Sequence, residues 1–552
     1  MTLSFFGLWL LAIAAMPLSL PCVHAWQLEA YKPPQYMRWL RTDTRRMVRA
    51  LAAGAACAAA LSAILLAAAL AIPADIPSEV AGWAAAILPA AAVGVWSAVR
   101  FLRALHKKPL KFTARIRRLL TAHAALSAVC AAALIIPVYA LTRMLPSAWR
   151  AAQTAIPLVA YYAATVMTQP LFVVLTGILM RPVENAINRW YFNDAKQRLA
   201  AWDRMIRVGI TGSYGKTSAK MILGTILAQR FDTKVTPHSY NTPLGVARVI
   251  REQMTGREEV FVAEMGARHR GDIAEMCELV APQYGLLMSV GPQHLETFGS
   301  LDNVARTKYE LVEALPSDGW AFFPSDNAVC LELYRRTRGN RILFGIDGHG
   351  DPLYMTARDI RVTAEGSRFT LVDGEGNAIE CATRLLGRHN IINILGCAAV
   401  ARKLGLTMNE IAAGIRLAEP VEHRLQLLNT GGSVTVIDDA FNSSPDGAKA
   451  ALEVLSAFEG RRIVVTPGLV ELGEAEEREN EAFGRNMVAV ADVAILVSRN
   501  GEAMERGLRQ GGFGGTILRT RNLAEASREL AALTRAGDVV LFENDLPDHY
   551  EQ

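Results

Sequence analysis

The stretch Ile206–Ser218 reads IRVGITGSYGKTS, and its reading decides the fold of the second half of the chain. Arg207–Ile210 reads as a short buried strand. Thr211–Ser218 then places small residues ahead of a helical pattern. Strand, glycine-rich loop and helix start, in that order, make a phosphate cradle. Small residues let backbone N–H groups wrap an anion, and the helix N-terminus adds a favourable field. On this reading Thr211, Gly212, Ser213, Gly215 and Ser218 form the cradle, Lys216 neutralises β/γ-phosphate charge, and Thr217 offers its hydroxyl to Mg²⁺. The match to GxxxxGK(S/T) is imperfect, since position 210 is Ile and the earlier glycine is Gly209. The strand–loop–helix context keeps the motif specific.

Downstream, Val260–Glu264 and Leu286–Val290 read as further parallel strands. Ser218–Gln229, Asp272–Val280 and Val304–Leu315 read as helices, giving an α/β unit with a parallel sheet. Residues 341–385 lose that rhythm in the turns GIDGHGDP and VDGEGN, so a β-rich insert is expected there. A second α/β, Rossmann-like unit begins near Val434 with VTVID, followed by RRIVV, VAILV and VVLFE. The expected domains are 201–419 and 420–552.

Glu264 ends a hydrophobic strand where a phosphate-loop fold needs a metal ligand. His294, in GPQHLETFG after another strand, reaches the same sheet edge, although a lone histidine is more often structural. Lys308, Glu310 and Glu313 read by periodicity alone as solvated helix residues. Asn390 and Asn393 share a helix face at i, i+3. Asp438 and Asp439, at a strand end before a turn, read equally as helix caps or as ribose or metal contacts.

Upstream the chain is of another kind. Its 552 residues are 51% apolar, which excludes disorder, collagen and small disulfide scaffolds. Of its 58 basic and 53 acidic residues, 21 and 7 fall in residues 1–204, leaving 37 and 46 for the remainder. The first part is basic and apolar, the second acidic and globular. Five apolar runs stand out at about 3–24, 50–72, 80–99, 119–141 and 154–180, each close to the ~20 residues a spanning helix needs. Strongly basic links, at 26–49, 100–118 and after Met180, alternate with weak ones at 73–79 and 142–153. The positive-inside rule then expects a multi-pass protein of the cytoplasmic membrane over residues 1–200, with the N-terminus outside and everything after Met180 in the cytoplasm.

The first run resembles a signal peptide at Val23-His24-Ala25 but lacks a basic leader, so a spanning helix is the preferred reading. No Asp, Glu, Lys or Arg lies inside the five runs, which argues against ion-coupled transport. His24 and His123 fall near run ends and read as interfacial. The seven cysteines form no CxxC pair and read as reduced, mostly buried thiols.

The motifs TGSYGKTS, SYNTPLGV, EMG, HLETFG, ARTKYEL, LLGRHNIINILGCAA, EHR and DDAFNSSPD occur in that order, with VELG beyond them. The set, over about Ile206 to Val540, resembles the Mur ligase family and most of all its D-Ala-D-Ala-adding branch. The resemblance implies an ATP- and Mg²⁺-dependent acid–amino-acid ligase that works through an acyl phosphate. The expected partners are ATP, a cell-envelope precursor carboxylate, an amino acid or dipeptide amine, and the lipid bilayer, with no nucleic acid. It implies Lys216 and Thr217 at the phosphates and metal, Glu264 and His294 as metal ligands, and Lys308 as a lysine carbamylated in several members. It also implies Asn390, Arg424 and Asp439 as nucleotide contacts, the last two closing onto ATP from the final domain.

Departures from that pattern fall outside the phosphate loop. Five apolar runs stand where the family's uridine-diphosphate-binding domain is expected. Asn241-Thr242 replaces an Asn-Asn pair, Ala247 replaces a proline, Pro324 stands at an adenine-site asparagine, and Phe441 and Ser444 replace Tyr and Asn. FENDLPDHY, Phe542–Tyr550, replaces a basic loop. The leading expectation is a membrane-anchored amide ligase for an envelope precursor, with a lipid-linked or otherwise non-nucleotide acceptor. The alternatives are a poly-γ-glutamate-type amino-acid ligase and an ATP-driven envelope-lipid transporter.

Overall fold

The computed structural model describes residues 10–544 except 12, 30, 72–77, 104–108, 143–149, 238–239, 294, 429–432, 442–443, 471 and 499. The chain divides into two compact units, Met1–Asn188 and Arg189–Gln552.

The described residues of the first unit are helical. Helices span Leu20–Leu28, Pro33–Ala71, Ser78–Arg103, Ala114–Thr142 and Arg150–Leu179, and a further helix, Arg181–Ala201, carries the chain across the division. Among the described residues, three stretches are long and apolar enough to cross a membrane: Val48–Ala68, Trp83–Arg103 and Leu158–Leu179. They correspond to the second, third and fifth of the expected runs. The fourth run lies in the Ala114–Thr142 helix. Of the first run, residues 3–9 and 12 lie outside the described residues; within it a 3₁₀ turn at Met16–Ser19, which contains Pro17, leads directly into the short Leu20–Leu28 helix.

That short helix is packed inside the unit. Trp26 is buried against Tyr36, edge to face at 5.2 Å, and a Cβ at Gly177 would lie 2.3 Å from the Trp26 ring. The two histidines are buried, not interfacial. The His24 ring packs edge-on against Phe101, and His123 Nε2 pairs with Gln169 Oε1 at 2.5 Å while its Nδ1 faces Thr176 Oγ1 at 3.3 Å. Such contacts satisfy polar groups between apolar helices. Arg118 holds the buried Glu184 through two hydrogen bonds of 2.7 and 2.8 Å.

The second unit contains two sheets. In the first, β1 (Ile206–Thr211), β2 (Thr233–Val235), β3 (Val260–Glu264), β4 (Tyr284–Leu287), β5 (Trp320–Pro324), β6 (Arg341–Phe344), β7 (Met355–Thr363), β8 (Gly366–Asp373) and β9 (Ala378–Thr383) lie in the order β2-β3-β1-β4-β5-β6-β7-β8-β9. Pairing is parallel through β7 and antiparallel from β7 to β9. The β-rich stretch therefore extends the main sheet. Val208 and Ile210 point to one face and are fully buried beneath Lys216–Leu227 and Arg388–Lys403, while helices including Asp272–Val280 cover the other face. Burying one such side chain contributes about 1.5–3 kcal/mol. β1 pairs with β3 on one side and β4 on the other; β2 and β3 lie to one side of it and β4 to β9 to the other, so the strand order switches at β1. Ligands of open α/β sheets bind at the carboxyl ends beside such a switch.

The second sheet contains β10 (Gln426–Leu428), β11 (Thr435–Asp439), β12 (Arg462–Thr466), β13 (Val493–Val497), β14 (Thr516–Thr520) and β15 (Val539–Glu543), in the order β10-β11-β15-β12-β13-β14. Only the β10–β11 pair is antiparallel. The cysteines of the described residues are all free, and five of the seven are buried.

Candidate active site

The loop after β1 is held by its neighbours before any ligand arrives. Thr211 Oγ1 donates to the Met265 carbonyl at 2.9 Å. Ser213 N donates to the Ser289 carbonyl at 2.5 Å, and Ser213 Oγ lies 3.0 Å from the Gly291 carbonyl. Apolar residues run on past the end of β4 because this segment buttresses the loop, with Ser289 bridged to Tyr214. That explains why the strand expected to reach Val290 ends at Leu287.

Gly215 caps the Lys216–Leu227 helix with φ +78°, and a Cβ there would lie 2.5 Å from Asn393 Oδ1. Gly215→Ala would strain the left-handed backbone by roughly 1–2 kcal/mol. It would also displace Asn393, whose Nδ2 donates to Asn390 Oδ1 at 3.1 Å. The expected result is at least about tenfold weaker nucleotide binding with a lower Tm, checked by titration and thermal unfolding.

Lys216 folds back over the loop, its Nζ donating to the Gly212 and Ser213 carbonyls at 2.7 and 3.0 Å. Burial pushes its pKa down to about 8, opposed by Glu264 and reinforced by Arg424. The unfolded chain therefore binds more protons than the folded one between about 8 and the ordinary 10.5, and the penalty for burying this cation is relieved as pH rises through that window. Bound phosphate reverses the shift. ATP binding at pH 8–9 should then take up as much as about one proton, a signature that Lys216→Met should remove. Calorimetry in buffers of different ionisation enthalpy measures it.

Glu264 is almost completely buried. Its Oε1 accepts from Thr217 Oγ1 and from Asn241 Nδ2, both at 3.1 Å, and its Oε2 accepts from Lys220 Nζ at 3.0 Å. A hydroxyl and a carboxylate meeting beside a phosphate cradle fit Mg²⁺, which takes few protein ligands and fills its shell with phosphates and water. Thr217 and Glu264 would hold the ion. His294, expected as a second ligand, lies outside the described residues.

Lys308 is buried, contrary to its solvated reading by periodicity, and no hydrogen bond or ion pair to it occurs among the described residues. Its pKa lies well below the lysine range through burial, then through the charge of Lys216. Glu310 is also more than a surface residue. Its carboxylate accepts from the Gly271 and Ala274 backbone N–H groups at 2.8 and 3.0 Å, anchoring the start of the Asp272–Val280 helix.

Beside the loop lies a cavity of about 370 Å³ whose lining includes Gly215, Ser218, Asn390, Arg424 and Asp439. Lys216, Thr217, Glu264 and Lys308 are not part of its wall. Asn390 Nδ2 donates to the Leu386 carbonyl at 2.9 Å. Arg424 lies over the Phe441 ring at 4.4 Å, and burial lowers its pKa against the opposing charges of Asp439, Glu264 and Glu543. Asp439 Oδ1 accepts from Leu425 N at 3.1 Å. Burial pushes the Asp439 carboxyl up to about 6, opposed by its hydrogen bond with Glu543 on the adjacent strand.

The sequence reading missed several residues of this region. Lys220 falls one turn after Thr217 on the same helix face, a spacing that signals it. Tyr214, whose hydroxyl donates to the Pro292 carbonyl at 2.9 Å, and His389, pushed down to about 4 by burial, also line the cavity. The segment 545–550 of the replaced C-terminal loop lies outside the described residues.

Comparisons with known proteins agree with this geometry. The Mur ligase middle domain family matches residues 210–401, and the Mur ligase glutamate ligase domain family matches 423–543. A UDP-N-acetylmuramoyl-tripeptide--D-alanyl-D-alanine ligase of Mycobacterium tuberculosis (strain ATCC 25618 / H37Rv) is 34% identical over 357 residues, 60% of this chain and 69% of the relative. The ligase of that name from Escherichia coli (strain K12) is 32% identical over 346 residues, 62% of this chain and 74% of its own. The crystal structure of MurF ligase from Thermotoga maritima in complex with ADP superposes with a TM-score of 0.59 at 26% identity, covering 66% of this chain and 82% of that one. MurF from Acinetobacter baumannii shares the fold with a TM-score of 0.60 at 24% identity, covering 66% and 79%.

Proposed function

From the premise that the chain belongs to the Mur ligase family of ATP- and Mg²⁺-dependent, ADP-forming amide ligases, we propose that it adds D-Ala-D-Ala to an envelope-precursor carboxylate whose carrier lies in the membrane. The observation that carries this reading is the replacement at the N-terminus. Among the described residues before β1 there is no strand, only helices, where the family resemblance implies a domain for uridine diphosphate. The three membrane-length stretches are only 22, 33 and 39% buried within the protein. Their large uncovered apolar faces fit a hydrocarbon solvent. The basic links of the sequence support a cytoplasmic setting for the ligase domains.

The proposed chemistry has two steps. An acceptor carboxylate oxygen attacks the γ-phosphorus, the bond to the bridging oxygen breaks, and ADP leaves. The dipeptide amine then attacks the acyl carbon, phosphate departs with the carbonyl–oxygen bond pair, and the amine proton is lost to solvent or a nearby base. The first step joins two anions, so fixed positive charge dominates its barrier. Lys216 swings from the loop carbonyls to the phosphates. Arg424 approaches the same charge from the second sheet. Mg²⁺, held by Thr217 and Glu264, supplies further charge neutralisation when bound. Asn390 and Asp439, in the cavity wall, orient the nucleoside. The cavity lies between residues of both sheets, so their closure excludes water from the acyl phosphate.

The dipeptide reading rests on the two relatives named above. It is tested by offering D-Ala-D-Ala, D-Ala and L-Glu in competition, with mass detection of the ligated species. D-Ala-D-Ala should dominate. Repeated glutamate addition would place the enzyme with polymer-forming amino-acid ligases instead. Co-flotation with liposomes that survives alkaline carbonate should accompany it. Release into the soluble fraction would contradict the anchor.

A further inference from the structure

Glu264 has a partner that phosphate binding does not require. Lys220 is fully buried, and its ammonium pairs with Glu264 Oε2 at 3.0 Å. Thr217 and Asn241 both address the other oxygen, Oε1, and the Glu264 backbone N–H donates to Thr236 Oγ1 at 3.2 Å. The carboxylate is thus fixed on three sides, with its two oxygens given different work. Oε1 meets hydroxyl and amide groups that can turn away, whereas Oε2 is held by a charge with no route to solvent.

We propose that Lys220 is a positioning residue that makes this site select Mg²⁺ over Ca²⁺, by holding Glu264 Oε2 and leaving only Oε1 to ligate a divalent cation. Mg²⁺ demands near-octahedral geometry at about 2.0–2.1 Å and takes one oxygen from a carboxylate, whereas Ca²⁺ at about 2.3–2.6 Å accepts both. A carboxylate with one oxygen bound to an ammonium group cannot chelate in the bidentate mode. The same pairing lowers the net negative charge of the site, which weakens binding of any cation that lacks ideal geometry. Thr217 and Lys220 lie three residues apart on one helix, so a single element presents both the metal hydroxyl and the group that restricts its companion ligand.

The inference rests on the reading of Glu264 as a metal ligand, and the experiment separates the two. Full-length protein saturated with a non-hydrolysable ATP analogue is titrated calorimetrically with Mg²⁺ and with Ca²⁺, in wild type, Lys220→Met, Lys220→Gln and Glu264→Ala. Lys220→Met should shift the ratio of affinities towards Ca²⁺ by about tenfold, and Lys220→Gln, which keeps a donor without the charge, by less. If Lys220 only offsets the burial of Glu264, both cations weaken together and the ratio stays at the wild-type value, which overturns the proposal. Should Lys220→Met fail to fold, the ratio in Lys220→Gln decides alone. In Glu264→Ala both affinities should fall. Wild-type binding of both ions there would overturn the ligand reading itself, independently of Lys220.

Discussion

Lys216→Ala should lower kcat/KM for ATP-dependent ligation by about three orders of magnitude while leaving the protein folded. Two features separate this from an ordinary surface charge loss. The ammonium is buried, so its field on a bound phosphate is weakly screened, and removing one preorganised transition-state donor typically costs 10²–10³-fold. It also has little to lose structurally, because its partners in the free protein are the Gly212 and Ser213 carbonyls. Those carbonyls can turn to water or to neighbouring amides. Thermal unfolding of the variant should therefore match or exceed that of the wild type near neutral pH, where the wild type keeps a desolvated cation. A variant that retains more than about a tenth of the wild-type rate would show that the loop backbone and Arg424 suffice.

Lys308→Ala should cost about 10²–10³-fold in kcat with nucleotide affinity nearly unchanged. Burial and the neighbouring Lys216 charge push this amine well below its usual pKa, which raises its neutral, nucleophilic fraction. Neutral amine and CO₂ combine to a carbamate with loss of one proton, turning a repelled cation beside Lys216 into an anion that Lys216 attracts. That exchange of sign answers the otherwise unfavourable placement of two lysines within one low-dielectric region. Lys308→Arg keeps positive charge and cannot form a carbamate, so it should be as impaired as the alanine variant. A carbamate carbon signal from carbon-13-labelled bicarbonate should be present in wild type and absent in both variants. Full activity of Lys308→Arg would remove the carbamate from the account.

The parts of the site that are legible in the sequence are those made by backbone. The Gly212–Gly215 loop and its flanking strand and helix follow from local conformation, so IRVGITGSYGKTS suffices to place them. Asn390 and Asn393 meet as their i, i+3 spacing predicts. Contacts made across the fold are not readable this way. Glu310 reaches Gly271, 39 residues away, and Lys220 reaches Glu264, 44 away, through pairings that only the strand order creates. The first apolar run carries a local departure that hydropathy does not show: around Pro17 the helix tightens to a 3₁₀ turn at Met16–Ser19 before it continues from Leu20. Lys308 shows the reverse case: periodicity puts it in water, and packing of its helix against the sheet buries it.

The most direct measurement of the central claim is mass-resolved product formation by the purified full-length protein with ATP, Mg²⁺ and D-Ala-D-Ala, with Lys216→Ala as control. Two acceptors are offered side by side: uridine-diphosphate-muramyl-tripeptide in solution and a lipid-linked tripeptide precursor in vesicles. The account predicts a dipeptide-extended lipid species and little or no extended nucleotide. Efficient extension of the soluble nucleotide, with the lipid-linked acceptor untouched, would contradict it and reduce the N-terminal helices to an anchor.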